Sequence, residues 1–87
     1  MKKLWTDNGW EDYLHWQSQD RKILGKLNAL IRDIERNPYE GIGKPEPLKH
    51  ELAGWWSRHI DEANRIVYRI KDGNLEISQC KGHYNDK

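Results

Sequence analysis

The apolar pattern of this chain changes its period once, and that change constrains the fold more than any other feature. Between Asp20 and Pro38, apolar residues recur at spacings of three and four within an arc of about 120°, typical of a core-facing helical stripe. These residues are Ile23, Leu24, Leu27, Leu30, Ile31 and Ile34. After residue 54, the segments WWSRHI, NRIVYRI and NLEISQCK are rich in β-branched and aromatic residues. The sequence therefore predicts a helix that begins after Asp20 and ends near Asn37, followed by a sheet.

Further elements are predicted on both sides of this change. The segment KKLW is expected to form a first strand, and Thr6 or Asp7 can cap a first helix. Asp72-Gly73 is a strong signal for a two-residue hairpin. Residues 39–54 are rich in proline and glycine and are predicted to form an ordered loop or turn region. The stripe predicted for the first helix consists of Trp10, Tyr13, Leu14 and Gln17.

These elements predict an α+β fold. We expect a small twisted, mainly antiparallel sheet, with the two N-terminal helices packed on one face and the other face open. The chain of 87 residues has no repeat, linker or low-complexity tract, so residues 1–87 are predicted to form a single domain.

Composition narrows the class of protein. Fifteen lysines and arginines against fourteen acidic residues leave a net charge of +1, which neither predicts nor excludes a polyanionic partner. Cys80 is the only cysteine, which favours a reducing compartment, and as a small apolar residue in a strand-like run it is predicted to lie in the core rather than to act as a nucleophile. No apolar run reaches the length of a membrane span. We therefore expect a cytoplasmic protein with no membrane partner.

The strand pattern indicates a basic surface. Residues 65–70 alternate so that Arg65 and Arg69 share one face of a strand while apolar side chains occupy the other. Lys49, Arg58, His59 and the segment CKGHY can converge on the same side of the sheet. Two exposed arginines on a strand are, by themselves, more often a solvated face than a site.

Tryptophan spacing gives a second set of expectations. Trp5, Trp10 and Trp16 are expected to be packing residues, because helical or strand spacing explains them. Trp55 and Trp56 are neighbours on a predicted strand, so they are expected to point to opposite faces.

A carboxylate is set between two prolines in the segment GKPEPLKH. Pro45 and Pro47 restrict the backbone and bias Lys44 and Glu46 toward extended conformations, which would orient the Glu46 carboxylate before a ligand binds. A preset carboxylate suits a general base. A merely solvated loop is the alternative interpretation of this triplet.

Together these groups indicate cleavage of RNA without a metal. A base removes the proton of the 2′-hydroxyl, an arginine neutralises charge growing on the phosphate, and an acid protonates the departing 5′-oxygen. Tryptophans and tyrosines between the basic residues also suit single-stranded RNA, whose bases stack on aromatic rings. A binding module for RNA or DNA without chemistry remains an alternative. No cofactor and no metal site are expected, because no Asp, Glu and His cluster has metal-ligand spacing.

The sequence resembles the YoeB toxins of the RelE-like ribosome-dependent mRNA interferases. The segments that carry this resemblance are MKKLW, WEDYLHWQ, NPYEGIGKPEPLKHELAGWWSR, RIVYRI and CKGHY, which together span essentially residues 1–84. The resemblance implies a small twisted sheet on two N-terminal helices, the RelE-like toxin fold. It also implies cleavage of mRNA in the A site of the ribosome, beside the 16S rRNA, giving a 2′,3′-cyclic phosphate and a 5′-hydroxyl.

The resemblance also assigns roles to residues and partners. Glu46 matches the general base, Arg65 the arginine that stabilises the phosphate, His83 the general acid and Tyr84 the aromatic residue that orients substrate. Lys49 matches a substrate-facing basic residue, and the neighbouring cations are expected to contact substrate as well: Lys44, Arg58, His59 and Arg69. A YefM-like antitoxin is implied, which would neutralise the toxin and bind operator DNA together with it. A homodimer is left open.

Two departures from the family pattern limit this transfer. His59 follows Arg58 where relatives tend to have a second arginine, so a phosphate contact there would be weaker and dependent on pH. Asn85, Asp86 and Lys87 follow the His-Tyr pair at which many relatives stop. A toxin of the ParE type that targets DNA gyrase on the same fold is a further alternative, since fold alone does not decide function.

Overall fold

A computed structural model describes residues 1–83 of the chain. This part contains two helices, α1 (Asp7–Gln19) and α2 (Arg21–Arg36), and a five-stranded sheet. The strands are β1 (Lys3–Trp5), β2 (Glu46–Pro47), β3 (Trp56–His59), β4 (Arg65–Lys71) and β5 (Asn74–Gln79). Their order is β1-β5-β4-β3-β2; β1 pairs with β5 in parallel and all other pairs are antiparallel. The predicted α+β fold with a mainly antiparallel sheet is confirmed.

The local signals for α2 and for the last hairpin are confirmed. Asp20 caps α2, since its Oδ1 accepts hydrogen bonds from Lys22 N at 3.0 Å and Ile23 N at 3.1 Å. Asn37 follows the last helical residue. All six residues of the predicted α2 stripe lie in the core or pack against it. Asp72 (φ 53°) and Gly73 (φ 76°) connect β4 to β5, and two positive φ angles are what a type I′ turn requires.

The predicted inner stripe of α1 is only partly confirmed: Tyr13 packs against the core, but Trp10, Leu14 and Gln17 are exposed. Trp10 and Leu14 are 46% and 42% exposed, whereas the buried residues of this helix are Gly9 and Trp16. Gly9 lies so close to β5 that a Cβ atom there would be 2.7 Å from Ile77 O. The closest approach of α1 to the sheet is therefore set by a residue without a side chain, which hydrophobic periodicity cannot detect.

The core lies between the helices and one face of the sheet. Trp16 reaches across it and donates a hydrogen bond from Nε1 to Cys80 O at 2.8 Å. Burial, with a smaller contribution from Asp12, raises the pKa of the Cys80 thiol to about 12. Cys80 is therefore a protonated core residue at neutral pH, as the sequence predicted. Neither helix within residues 1–83 is long and apolar enough to cross a membrane.

The other face of the sheet is only partly open. We call it the outer face, meaning the face that points away from α1 and α2. Leu48, Ser57 and Val67 are at most 5% exposed, yet none of them belongs to the core cluster under the helices. The expectation of an open second face is therefore wrong at its centre, where these residues are covered.

Candidate active site

Strand pairing places Glu46 on the outer face. Glu46 pairs with Ser57, Ser57 with Val67, and Val67 with Gln79. Residues directly opposite each other on neighbouring strands point to the same side of a sheet. The four residues therefore form one row across the outer face, with Glu46 at the β2 edge.

The next row of the outer face carries cationic residues. His59 pairs with Arg65, and each lies two residues along its strand from a member of the Glu46 row. Side chains two residues apart share a face of the sheet and are about 7 Å apart along the strand. The sheet register thus brings together Glu46, His59 and Arg65, which are scattered over 20 residues of sequence.

The electrostatics of His59 identify the remaining members of the site. Burial lowers the pKa of His59 most, the charges of Arg65, Lys44 and His83 lower it further, and the Glu46 carboxylate raises it. All four charged or titratable groups therefore act on one imidazole. We call Lys44, Glu46, His59, Arg65 and His83 the outer-face cluster. Four of its members were predicted from sequence to act on substrate or to catalyse, and His59 was predicted as a substrate-binding residue.

Arg65 is held in place by the loop that precedes its strand. Its Nη1 donates to Asp61 O and Glu62 O, both at 2.9 Å, and to Asn64 O at 3.2 Å. Within residues 1–83, the Nε and Nη2 atoms of Arg65 have no hydrogen-bond partner. One side of the guanidinium is therefore fixed by backbone carbonyls, and the remaining N–H groups are suited to bind a phosphate.

The same loop positions the C-terminal segment. Asn64 Oδ1 accepts from Gly82 N at 2.8 Å, and Arg65 N donates to Gly82 O at 3.1 Å. Gln79 Nε2 donates to His83 O at 3.3 Å, while His83 itself is exposed. His83 is thus brought beside Arg65 by backbone contacts. Tyr84, the fourth residue of the predicted catalytic set, lies outside the described residues.

Asp61 and Asn64 were missed by the sequence analysis. Asp61 Oδ1 accepts hydrogen bonds from Ala63 N at 2.9 Å and Asn64 N at 2.7 Å, which closes the turn before β4. The signal was present in the sequence, because aspartate commonly begins a turn by accepting hydrogen bonds from the backbone N–H groups two and three residues later. Its importance depends on Gly82, which is distant in sequence.

The loop before Glu46 has a different backbone from the one predicted. Glu46 lies in β2 and is extended as expected, but Lys44 has a φ of +55°, so the prediction of an extended Lys44 is wrong. Gly43 also has a positive φ, of +79°, and its carbonyl accepts a hydrogen bond from His59 N at 2.7 Å. The two left-handed residues turn the chain sharply, and this turn carries Lys44 to the cluster.

The expectation that Arg58 binds substrate is wrong, because its side chain is fully buried on the core side of β3. Nε donates to the Tyr68 hydroxyl at 3.1 Å, and Nη1 donates to Asp33 Oδ2 at 2.6 Å and Ile42 O at 3.1 Å. Nη2 donates to Asn37 O and Glu40 O. All five N–H donors of the guanidinium are therefore used within the protein, and none is left for a substrate.

Arg69 and Lys49 lie outside the cluster. Arg69 is on the outer face, where its Cζ atom lies 4.4 Å from the centre of the Trp55 ring and its Nε donates to Glu76 Oε1 at 2.6 Å. Trp56 instead packs against the core cluster, so the two tryptophans do point to opposite faces. Lys49 is exposed just before the 3-10 turn His50–Leu52. Among residues 1–83, no group of three or more His, Cys, Asp or Glu residues could hold a metal ion.

This fold and sequence are similar to toxins of bacterial toxin-antitoxin systems. A family described as the YoeB-like toxin of bacterial type II toxin-antitoxin systems matches residues 5–84. Toxin YoeB of Escherichia coli strain K12 is 52% identical over 84 residues, which cover 97% of this chain and 100% of the relative.

Two solved relatives have the same fold. A YoeB/ParE toxin from Agrobacterium tumefaciens is 48% identical with a TM-score of 0.94, over 97% of this chain and 100% of the other. YoeB of Staphylococcus aureus was solved as a dimer and in a YoeB-YefM complex, with identities of 41% and 40%. Both structures give a TM-score of 0.90 over 97% of this chain and 98% of the other.

Proposed function

The chain belongs to the YoeB-like toxin family of bacterial type II toxin-antitoxin systems, and we propose that it is an endoribonuclease that cleaves mRNA in the ribosomal A site. Cleavage depends on the ribosome and needs no metal ion, and it inhibits translation in the cytoplasm. The observation that carries this proposal is the outer-face cluster. Glu46 and Arg65 share the outer face with His59, and His83 follows Gly82, whose carbonyl accepts a hydrogen bond from Arg65 N. A carboxylate, a guanidinium and a histidine are the groups that metal-free RNA cleavage requires.

Glu46 acts as the general base in this mechanism. It accepts the proton of the 2′-hydroxyl, whose oxygen attacks the adjacent phosphorus while the bond from phosphorus to the 5′-oxygen breaks. The products are a 2′,3′-cyclic phosphate and a 5′-hydroxyl. Glu46 suits this role because β2 fixes its backbone at the edge of the sheet and its side chain is exposed.

Arg65 and His83 act on the phosphate and on the leaving group. Arg65 offers Nε and Nη2 to the phosphoryl oxygens, where negative charge grows during the attack, and this supplies the charge that a metal ion would otherwise provide. His83 donates the proton to the departing 5′-oxygen, and Tyr84 orients the substrate. Lys44, His59 and Lys49 add positive charge for the flanking phosphates.

Inhibition by an antitoxin follows from the character of this surface. YoeB of Staphylococcus aureus has been solved with YefM. We propose that a YefM-like antitoxin binds this chain with an acidic C-terminal segment across or beside the outer-face cluster, and that the complex represses their shared promoter through the DNA-binding part of the antitoxin. The Staphylococcus relative was also solved as a dimer, which supports a homodimer for this chain.

Mapping the 5′ ends of cellular mRNA after induction tests the proposal. We expect new 5′-hydroxyl ends inside translated regions, and we expect them to disappear when ribosomes are kept off the message. Cleavage of naked RNA at the same positions would contradict ribosome dependence. Intact mRNA together with inhibited DNA supercoiling would instead support a gyrase-targeting toxin, and intact mRNA without that defect would support a binding module without chemistry.

A further inference from the structure

Arg69 is a second arginine on the outer face, and its partners, Trp55 and Glu76, do not belong to the outer-face cluster. Arg69 follows Arg65 by four residues on β4, so the two side chains share a face and lie about 13 Å apart along the strand. Arg65 is anchored to the backbone carbonyls of residues 61, 62 and 64, whereas Arg69 is anchored to Glu76, so the two guanidinium groups are not held at one phosphate. Arg69 must therefore serve a neighbouring position if it binds RNA at all.

The Arg69 guanidinium lies over the Trp55 ring. Its Cζ lies 4.4 Å from the centre of the indole ring, and its Nε donates to Glu76 Oε1 at 2.6 Å. The register supports this contact, because Arg69 and Glu76 are paired across β4 and β5. Within residues 1–83, Nη1 and Nη2 have no hydrogen-bond partner, and the side chain remains 34% exposed.

We propose that Trp55 and Arg69 form a second RNA subsite, which binds a nucleotide next to the cleaved one rather than the scissile phosphate itself. Indole rings and guanidinium planes are surfaces on which unpaired bases stack. Nη1 and Nη2 contact the phosphate of that nucleotide. This subsite rests on the proposed function for its register with the cleaved bond, but its contacts to RNA stand by themselves.

Glu76 restrains the affinity of this subsite. Its carboxylate orients the guanidinium through Nε, and it also competes with RNA for the charge of Arg69. If the three side chains only brace the sheet, removing the Glu76 charge should weaken the protein and leave RNA binding unchanged. If they form a subsite, removing that charge should strengthen RNA binding. The two interpretations therefore predict different effects on RNA binding.

Binding of a 2′-O-methylated single-stranded RNA oligonucleotide, which cannot be cleaved, tests this subsite. Fluorescence anisotropy is measured over a range of salt concentrations for the full chain and its variants. We expect Arg69→Gln to reduce the slope of log K against log salt by about 0.7, the value for one lost phosphate contact on a single strand. Arg69→Lys should keep the slope and still lose affinity, since it keeps the charge and removes the stacking plane.

Two further variants complete the design. Trp55→Ala should weaken binding about tenfold through lost stacking, and Glu76→Gln should strengthen it. Arg21→Gln is the matched control, because Arg21 is exposed at the start of α2 on the opposite layer; it should leave both slope and affinity unchanged. Thermal unfolding of each variant shows whether a change in binding is a change in folding.

The outcomes separate this subsite from the proposed function. If Arg69→Gln and Glu76→Gln bind the oligonucleotide with the slope and affinity of the unmodified chain, the subsite is overturned even if mRNA is cleaved normally. If both variants change binding as expected and the chain still cleaves no mRNA on ribosomes, the subsite stands and the nuclease proposal fails.

Discussion

Arg58 on β3 and Asp33 on α2 join the two layers of the protein through a hydrogen-bonded ion pair of 2.6 Å. Arg58 also binds the carbonyls of Asn37, Glu40 and Ile42, so it fixes the chain that leads from α2 to the Glu46 loop. Arg58, which the sequence suggested for substrate contact, therefore fixes the loop before Glu46 from the core side of the sheet. The position of the candidate base depends on this buried group.

Arg58→Met should destabilise the protein strongly. The change removes the charged partner of Asp33 and leaves several loop carbonyls without donors, so we expect the free energy of unfolding to fall by about 3 kcal/mol or more. Urea denaturation followed by tryptophan fluorescence measures the loss. Arg36→Met, at the end of the same helix as Asp33 and exposed, is the control and should change stability little. Equal stability of the two variants would contradict the role given to Arg58.

Asp33 should make stability depend on pH in the acid range. The hydrogen bond from Arg58 is the main cause that lowers the pKa of the Asp33 carboxyl below its ordinary value of 3.8. Because the folded state favours the carboxylate, this contribution is complete above pH 3.8 and is lost as the pH falls through the folded pKa. The stability difference between the unmodified chain and Asp33→Asn should therefore be constant near neutral pH and shrink below pH 3.8. A difference that grows in acid would contradict this linkage.

His59 should make RNA binding dependent on pH. Burial, followed by the charges of Arg65 and Lys44, lowers the pKa of His59 below its ordinary value of 6.5, against the opposing effect of Glu46. The imidazole is therefore neutral at pH 7, and the affinity for RNA should rise as the pH falls through the lowered pKa. The stability contributed by His59 has the opposite course, since it is complete above pH 6.5 and declines in acid.

Comparison with two variants isolates this effect from those of the other residues in the outer-face cluster. Subtracting the anisotropy curve of His59→Gln from that of the unmodified chain should leave a single rise in affinity below pH 6.5. His59→Arg should bind RNA more tightly at pH 7 and lose that rise. An unchanged pH profile in His59→Gln would show that His59 does not contact RNA.

Gly43 should tolerate alanine far less well than Gly73 does. Their φ angles are nearly equal, +79° and +76°, so alanine costs each of them a similar backbone strain of about 1–2 kcal/mol. A Cβ at Gly43 would lie 2.7 Å from Leu30 Cδ2 and 2.9 Å from His59 O, whereas nothing lies within 4 Å at Gly73. Overpacking should therefore lower the free energy of unfolding of Gly43→Ala by about 1–3 kcal/mol more than that of Gly73→Ala. Denaturation midpoints of the two variants give the comparison, and equal losses would contradict the crowding at Gly43.

Much of the fold could be predicted because its signals are local. The α2 stripe, the Asp20 cap and the Asp72-Gly73 turn each depend on residues a few positions apart, and each is confirmed. The predicted stripe of α1 failed at Trp10 and Leu14, because the helix approaches β5 closely at Gly9, a residue without a side chain. Hydrophobic periodicity depends on apolar side chains and cannot detect a close approach between the backbones of a helix and a strand.

The site was predictable only in part, since it depends on strand register. Glu46 meets His59 and Arg65 because a strand of two residues pairs with β3 at one particular register, and no local pattern specifies that pairing. Arg58 was misassigned for a related reason. Its five acceptors come from α2, the following loop and β4, so its burial could not be foreseen from its neighbours in sequence.

Residues 85–87 should be dispensable for activity, whereas His83 and Tyr84 should be required. Residues 84–87 lie outside the described residues, so this expectation comes from sequence alone. Asn85, Asp86 and Lys87 are polar residues, and the negative charge that Asp86 adds two positions after Tyr84 in sequence should be mildly unfavourable for phosphate binding and screened by salt. Ribosome-dependent cleavage should be equal or slightly higher for a chain that ends at residue 84, and should be lost for one that ends at residue 82. Equal damage in both would place the tail within the active site.

The role of Glu46 as the general base is tested most directly by single-turnover cleavage of mRNA on programmed ribosomes with the Glu46→Gln variant. Glutamine keeps the shape of the side chain and cannot accept the 2′-hydroxyl proton, so we expect the cleavage rate to fall by about 10²- to 10⁴-fold. The unfolding midpoint and binding to the antitoxin should be retained. Glu51→Gln, an exposed glutamate in the neighbouring turn, should cleave at the normal rate. A folded Glu46→Gln protein that cleaves as fast as the Glu51→Gln control would contradict the assignment of Glu46 as the general base.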